Sequence, residues 1–172
     1  SVSDVIAATA PGAAVVCAEA PDNVAAEMRH GDAAAVDRAF AAAAHAVALD
    51  LVNQRLAPSP LEPRSVLATW DEASGRLTVR LSNQMPTSIL NSISDLIPGF
   101  TKDNVRVVVG DVGGGFGMKT GIYPEDLVLA FAARHLKRPV RWQAERSEDF
   151  QAAVHGRGIV SRAELALDAQ GK

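Results

Sequence analysis

The chain has 172 residues, 48% of them hydrophobic and 22% charged, which suits one globular domain or one domain plus a fragment. Its formal net charge of −3 predicts no nucleic-acid partner. No apolar run reaches the roughly 18 residues that cross a bilayer, so no membrane partner is expected. No signal peptide is recognisable and Ser1 is not a methionine, which indicates a processed or excised chain. We expect it to be cytoplasmic.

The first 35 residues are rich in Ala, Gly, Pro and Asp and show no sustained period. A short strand is predicted over 14–18, and the remainder is predicted to be loop. The single cysteine, Cys17, excludes an internal disulfide. Its apolar neighbours predict a buried thiol.

A helix and a strand follow this loop. Asp32 is a predicted N-cap for a helix over 33–45, where apolar residues recur at helical spacing. Residues 46–56 then alternate in polarity, which predicts a strand with Val47, Leu49 and Leu51 on one side.

Three prolines at 58, 60 and 63 predict an extended loop that contains Glu62 and Arg64. Two interpretations of these charges stay open. They either brace the loop against a glycine-rich stretch further along the chain, or form a surface ion pair worth under about 1 kcal/mol.

A β-hairpin is predicted next, with strands over 65–70 and 76–82 joined by turn residues. Pro86 then occupies the first position of a predicted helix. Gln84 therefore lies between a strand end and a helix start, where its amide can donate to and accept from a shared ligand.

The most informative stretch is a glycine run between a predicted strand over 105–109 and a predicted helix over 124–136. Four glycines surround Phe116. Glycine lacks a Cβ and allows positive φ, so several N–H groups can converge on one oxygen-rich group. The P-loop and dinucleotide-binding motifs both require glycine where Met118 stands. A tight structural turn is the alternative, but four glycines exceed what a turn requires, and a ligand loop is favoured.

The remaining pattern favours an α+β fold with a mixed sheet, a β-hairpin and packed helices, because the elements lack a regular βαβ rhythm. The helix over 124–136 is apolar over most of its surface and is predicted to be largely buried. Ser147 is a predicted cap of a short helix between strands that begin at Val140 and Ile159.

Common catalytic and metal-binding motifs do not occur in the chain. There is no GxSxG elbow, no HExxH and no Cys/His metal spacing, and the four histidines are scattered. We therefore assign no catalytic residue and no metal ligand to this chain.

Several motifs resemble those of the molybdenum hydroxylases, the family of xanthine dehydrogenase, aldehyde oxidase and aerobic carbon monoxide dehydrogenase. Residues 111–119, DVGGGFGMK, resemble the GGGFGxK signature of the molybdopterin-binding large chain. Residues 138–150 resemble the segment RPVRW..DRxED, and 62–64 match EPR. These motifs keep the family's order and spacing over residues 20–172.

The resemblance implies a domain division and a set of site residues. Residues 1–31 are expected to be the tail of a preceding domain and a linker, and 32–172 the first part of a molybdopterin-binding domain. Gln84 is expected to hydrogen-bond an oxo ligand of the molybdenum. Thr120 is expected to line the substrate pocket, at a position where purine-oxidising members carry glutamate. The other expected cofactor-binding residues are Gly114, Gly115, Phe116 and Gly117. Met118 replaces a common glycine and is expected to narrow the space beside the loop.

The implied function is that of one part of a molybdenum-cofactor oxidoreductase. Such enzymes hydroxylate a small aldehyde or N-heterocycle, or oxidise carbon monoxide, with water as the oxygen source. The pterin's dithiolene holds the molybdenum, and the cytosine dinucleotide form is one possibility. The general-base glutamate lies late in the large chain, so the isolated chain is expected to be inactive.

The resemblance also implies partners. They are the remainder of the large chain and the iron–sulfur and flavin subunits or domains, since no iron–sulfur or flavin site is recognisable here. A stand-alone binding module that reuses the fold without catalysis is the alternative.

Overall fold

The computed structural model describes residues 5–172, which divide into two compact units. The first unit runs to Leu56 and resumes at Arg157–Lys172, and the second is Ala57–Gly156. The domain boundary predicted between residues 31 and 32 stays a prediction. No helix in the described part of the chain is long and apolar enough to cross a membrane. In chain order the elements are α1 (Val5–Thr9), α2 (Ala33–Ala42), β1 (His45–Asn53), β2 (Ser65–Asp71), β3 (Arg76–Leu81), α3 (Pro86–Leu96), β4 (Val105–Val108), α4 (Pro124–Leu136), β5 (Val140–Gln143), α5 (Arg146–Ala152) and β6 (Ile159–Leu167).

The first unit is built on an antiparallel ribbon of β1 and β6, in which His45 lies opposite Leu167 and Asn53 opposite Ile159. Alternation puts Val47, Leu49 and Leu51 on one side of the ribbon, as predicted. All nine residues of β1 are nevertheless exposed.

The predicted cap of α2 is confirmed, because the Asp32 side chain accepts the N–H of Ala35 at 3.0 Å. The helix ends at Ala42 rather than at 45. Ala43 already has extended backbone angles, and His45 pairs in the ribbon.

The predictions for residues 14–18 were wrong. Cys17 forms only an isolated bridge with Ala20, within a turn closed by the N–H of Ala20 and the carbonyl of Cys17. The thiol is exposed and donates to the Glu19 carboxylate at 2.8 Å. An apolar run forms a buried strand only where a neighbouring strand pairs with it, and here none does among the described residues.

The second unit contains a four-stranded mixed sheet with strand order β4-β3-β2-β5. The predicted hairpin is confirmed: β2 and β3 are antiparallel, with Val66 opposite Leu81 and Asp71 opposite Arg76. Strand β5 is antiparallel to β2, whereas β4 is parallel to β3. The helix α3 connects the two parallel strands, as a parallel connection requires. The fold is α+β, as predicted.

Helices α3 and α4 contribute to the same hydrophobic core against one face of this sheet. The core includes Val66 and Ala68 of β2, whose cross-strand partners Leu81 and Val79 share that face. Its helical members include Ile89 and Ile93 of α3 and Leu129, Ala130 and Ala133 of α4.

The prediction that α4 is largely buried was wrong for part of its surface. Only the face that meets the sheet is buried, and Val128 and Phe131 on the other side are 60% and 51% exposed. The cap predicted for α5 was also wrong. The helix begins at Arg146, because the Glu148 carboxylate accepts the N–H of Glu145 at 3.2 Å.

Candidate functional site

The two predicted parts of the site meet at one edge of the sheet. Gln84 follows the end of β3, and the glycine run follows the end of β4. Because these strands are parallel neighbours, their carboxyl ends lie at the same edge. The N–H of Gly117 donates to Gln84 Oε1 at 3.1 Å, and the N–H of Gln84 donates to the carbonyl of Lys119 at 2.8 Å. Gln84 and the glycine run therefore converge, although 33 positions separate Gln84 from Gly117.

The glycine loop, which we define as residues 113–117, needs its glycines for two different reasons. At Gly113 and Gly115 a Cβ would collide with a neighbouring side chain as it now stands. A Cβ on Gly113 would lie 2.6 Å from Cβ of Glu62, and one on Gly115 would lie 2.8 Å from Cγ of Gln84. At Gly114 the backbone has a φ of +95°, a region that residues with a side chain rarely adopt. Two side chains can therefore approach the loop backbone closely.

Phe116 is the one residue of the loop with a side chain. Its φ of +51° puts it in the left-handed region, which is uncommon for a non-glycine residue and is often found at functional sites. The side chain is held outward, and Phe116 is 74% exposed. A large aromatic ring that is strained in the backbone and exposed at the surface is suited to contact something outside this chain.

Several hydrogen-bond donors of the loop have no acceptor within residues 5–172. These are the N–H groups of Gly114, Gly115 and Phe116. The backbone has positive φ at Gly114 and Phe116, and turn conformations of this kind form concavities in which successive N–H groups bind anions. The amide oxygen of Gln84 is already occupied by Gly117, so its Nε2 is what remains to donate. The loop thus offers donors to an oxygen-rich ligand.

Glu62 fastens the glycine loop to the sheet. Its Oε2 accepts from the N–H of Gly113 at 2.7 Å, from the Ser82 hydroxyl at 2.6 Å and from Lys119 Nζ at 3.2 Å. Its own N–H donates to the carbonyl of Gly113 at 3.1 Å. Desolvation acts to raise the pKa of Glu62, but these hydrogen bonds together outweigh it, and the pKa is lowered from its ordinary value. Of the two interpretations of Glu62, bracing is correct.

Lys119 is part of this arrangement, a role that the sequence did not reveal. The residue is 1% exposed, and its ammonium group donates to Ser82 Oγ at 2.7 Å and to the backbone carbonyl of Glu62 at 2.8 Å, besides the Glu62 carboxylate. These three acceptors match the three donors of an ammonium group. Lys119 therefore cannot reach out to a phosphate as the lysine of a P-loop does.

Arg64 holds the neighbouring elements together. It is 4% exposed, and its Nε donates to the Asp149 carboxylate at 2.8 Å, with Glu125 3.5 Å away. Its guanidinium lies over the rings of Tyr123 and Trp142, at 3.9 and 5.3 Å from their centroids. Desolvation lowers the pKa of Arg64, but the bond to Asp149 and the charges of Glu125 and Asp149 outweigh it and raise the pKa. The two acidic partners of Arg64 lie 61 and 85 positions further along the chain, and no local sequence pattern predicted these contacts.

The predictions for Met118 and Thr120, which directly follow the glycine loop, have different outcomes. The Thr120 hydroxyl donates to the carbonyl of Gly117 at 2.8 Å, so it fixes the turn that follows the loop, and its assignment to a substrate pocket stays a prediction. Met118 was expected to narrow the space beside the loop, and this was wrong. Its side chain is 2% exposed and packs with Tyr123 and Ala153, on the inside of the unit.

Comparison with known proteins identifies the domain. The model of the molybdopterin cofactor-binding domain matches residues 16–172. This chain belongs to that family. The resemblance to the molybdenum hydroxylases drawn from the sequence motifs is thereby confirmed.

Individual relatives of this molybdopterin-binding domain are oxidoreductases. The chain is 36% identical over 163 residues to the nicotine 6-hydroxylase large subunit of Paenarthrobacter nicotinovorans, a match that covers 94% of this chain and 20% of the relative. It is 35% identical to the carbon monoxide dehydrogenase large chain of Hydrogenophaga pseudoflava, covering 83% of this chain and 18% of the relative. The chain thus spans about a fifth of the length of these relatives.

The fold has also been seen in a solved structure. The structure of reconstituted CO dehydrogenase from Oligotropha carboxidovorans superimposes with a TM-score of 0.76 at 33% identity, covering 82% of this chain and 17% of that one.

Proposed function

We propose that the glycine loop and Gln84 of this molybdopterin-binding domain hold the molybdenum cofactor, and that the domain is one part of a molybdenum oxidoreductase. The observation that carries the proposal is the contact between Gly117 N–H and Gln84 Oε1, which fixes the amide so that Nε2 remains to donate. The relatives named for nicotine 6-hydroxylase and carbon monoxide dehydrogenase support the reaction class. The proposed reaction is hydroxylation of a small aldehyde or N-heterocycle, or oxidation of carbon monoxide, with oxygen from water.

The residues present fit such a group. Molybdopterin carries a phosphate and polar pterin edges, and a molybdenum centre carries oxo oxygens. The loop offers backbone N–H groups of Gly114, Gly115 and Phe116 without acceptors in the described chain, and the Gln84 amide adds a donor. Donors held rigidly in a loop bind oxygen-rich groups without the cost of ordering them at the time of binding. The Glu62 carboxylate, which lies against the loop, does not oppose an anionic ligand, because it is paired with Lys119.

Each residue then has a distinct task. When bound, the cofactor supplies the redox chemistry and the metal-bound ligands, which no protein side chain provides. Gln84 donates a hydrogen bond from Nε2 and orients the group that it faces. The Phe116 ring covers part of the cofactor and excludes water from it. Gly114, Gly115 and Gly117 leave room for this approach. Thr120 is proposed to line the substrate side of the site, where its hydroxyl proton is already committed to Gly117.

Several finer features belong to the same proposal. The general base is supplied by a part of the enzyme outside these 172 residues, so the isolated chain does not turn over substrate. The cofactor is molybdopterin, with the cytosine dinucleotide form as one candidate. The partners are the rest of the large chain and the iron–sulfur and flavin subunits or domains, and the location is the cytoplasm.

The test uses the intact protein, produced in a host that makes the molybdenum cofactor. Molybdenum is measured by mass spectrometry and pterin by the fluorescence of its oxidised form. Gln84→Ala is expected to lower both, whereas Gln151→Ala on the exposed surface of α5 leaves them unchanged. Equal cofactor content in the two variants would overturn the role of Gln84. A wild-type protein that folds without molybdenum or pterin would favour the stand-alone binding module instead.

A further inference from the structure

One side chain is attached to both ends of the glycine loop. Glu62 accepts from Gly113 N–H at the start of the loop and from Lys119 Nζ just beyond its end. The Ser82 hydroxyl completes the group, since it donates to Glu62 and accepts from Lys119. We call Glu62, Ser82 and Lys119 the loop tie. It joins the proline-rich segment, the end of the β3 region and the glycine loop.

The loop tie also reaches Gln84 through the backbone. The carbonyl of Lys119 accepts the N–H of Gln84, and Gln84 Oε1 accepts the N–H of Gly117. A shift of Lys119 therefore moves both the main chain and the side-chain partner of Gln84. Glu62 also lies directly against the backbone of Gly113, and Gln84 against that of Gly115.

We propose that Glu62 and Lys119 are positioning residues for the cofactor. They hold the glycine loop in its observed conformation and orient the Gln84 amide before any ligand binds, and neither residue contacts the ligand. This inference rests on the proposed function. Its physical basis is that the Lys119 charge is almost fully buried and must keep its partners, because an unpaired buried charge is strongly unfavourable. The ion pair is therefore held in one geometry, and the glycine loop, which is hydrogen-bonded to Glu62, is held in one conformation with it.

The alternative is that the loop tie only stabilises the fold. The two roles differ in what they change in molecules that remain folded. A purely stabilising pair alters the unfolding temperature and leaves cofactor release from folded molecules unchanged. A positioning pair alters the rate of release itself.

The experiment measures this rate in the intact, cofactor-loaded protein. Glu62→Gln and Lys119→Met are compared with Glu72→Gln and Lys137→Met, which break an ion pair whose side chains are 63% and 62% exposed. Each variant is diluted at a temperature well below its unfolding, and the loss of molybdenum and pterin is followed. Loss about 10–100-fold faster than in wild type is expected for the loop-tie variants, the range found when partners that orient metal ligands are removed. The surface variants should match wild type.

The outcomes separate this inference from the proposed function. If wild type carries the cofactor and the loop-tie variants release it as slowly as the surface variants, the positioning role is overturned and the proposed function stands. If wild type carries no cofactor, both are overturned. Should Glu62→Gln or Lys119→Met fail to fold, Ser82→Ala decides, because it removes only the bridging hydroxyl. Faster release from folded Ser82→Ala supports the loop tie, and release at the wild-type rate overturns it.

Discussion

Asp149 contacts Arg64 at two points. Its Oδ2 accepts the backbone N–H of Arg64 at 2.9 Å, and its Oδ1 accepts the side-chain Nε–H at 2.8 Å. Both side chains are at least 95% buried. The contact joins the proline-rich loop to α5 across 85 positions of the chain. The contact fixes Arg64, which stands two positions after Glu62, and so helps to hold Glu62 of the loop tie in place.

Asp149→Asn should destabilise the second unit by about 3–5 kcal/mol, because the buried guanidinium loses its main counter-charge while Glu125 lies 3.5 Å away. Denaturant unfolding of the variant measures this loss. Asp95→Asn, at an exposed position of α3, is the control and should change stability by no more than about 0.5 kcal/mol. Equal effects of the two substitutions would contradict the assignment.

Gly115→Ala should lower both stability and cofactor content, because the added Cβ would lie 2.5 Å from Cδ of Gln84. Because the clashing side chain is flexible and Gln84 is exposed, the cost should lie at or below the lower end of the roughly 1–3 kcal/mol that overpacking a core costs. Gly121→Ala is the matched control, since nothing lies within 4 Å of its Cβ position. In a Gln84→Ala background the stability cost of Gly115→Ala should largely disappear, which a double-mutant cycle measures. Additive effects would show that the two positions do not interact.

Phe116→Gly should change stability and cofactor content in opposite directions. Glycine relieves the left-handed backbone at φ +51°, which gains about 1 kcal/mol, and little burial is lost because Phe116 is 74% exposed. The missing ring should nevertheless reduce cofactor content. Lys137→Gly relieves the same φ of +51° at the end of α4 and should gain stability with the cofactor intact. Full cofactor content in Phe116→Gly would exclude the ring from the site.

The contribution of Glu62 to stability should depend on pH. Its folded-state pKa is lowered, so the unfolded chain takes up a proton first as the solution is acidified. The stabilisation is therefore complete above its ordinary pKa of 4.5 and is lost as the pH falls through the lowered value. The difference in unfolding free energy between wild type and Glu62→Gln measures it. That difference should shrink below pH 4.5, and growth on acidification would contradict the ion-pair geometry.

The local patterns of the sequence predicted most of the second unit. The turn residues between β2 and β3 predicted the hairpin, and Pro124 together with the acidic first turn predicted α4 at its observed bounds. These features act over a few neighbouring residues, so the chain encodes them locally. The glycine run predicted a loop whose backbone a ligand can approach closely, which stays a prediction.

Contacts between distant segments could not be obtained in this way. Nothing near Lys119 indicates that its charge is buried against Glu62, 57 positions earlier, or that Met118 turns inward to Tyr123. The prediction that the Cys17 thiol is buried failed for the same reason, because burial depends on a neighbouring segment that the local pattern does not specify.

The sequence by itself determined the family, the hairpin and the presence of a glycine-rich loop. The tertiary structure decided which side chains stand against that loop. The parallel pairing of β3 with β4 brings Gln84 to Gly117, and the folding of the proline-rich loop brings Glu62 to Gly113 and Lys119. The physical reason is that glycines create space locally, whereas the groups that fill this space arrive through strand pairing and buried charge pairing between distant parts of the chain.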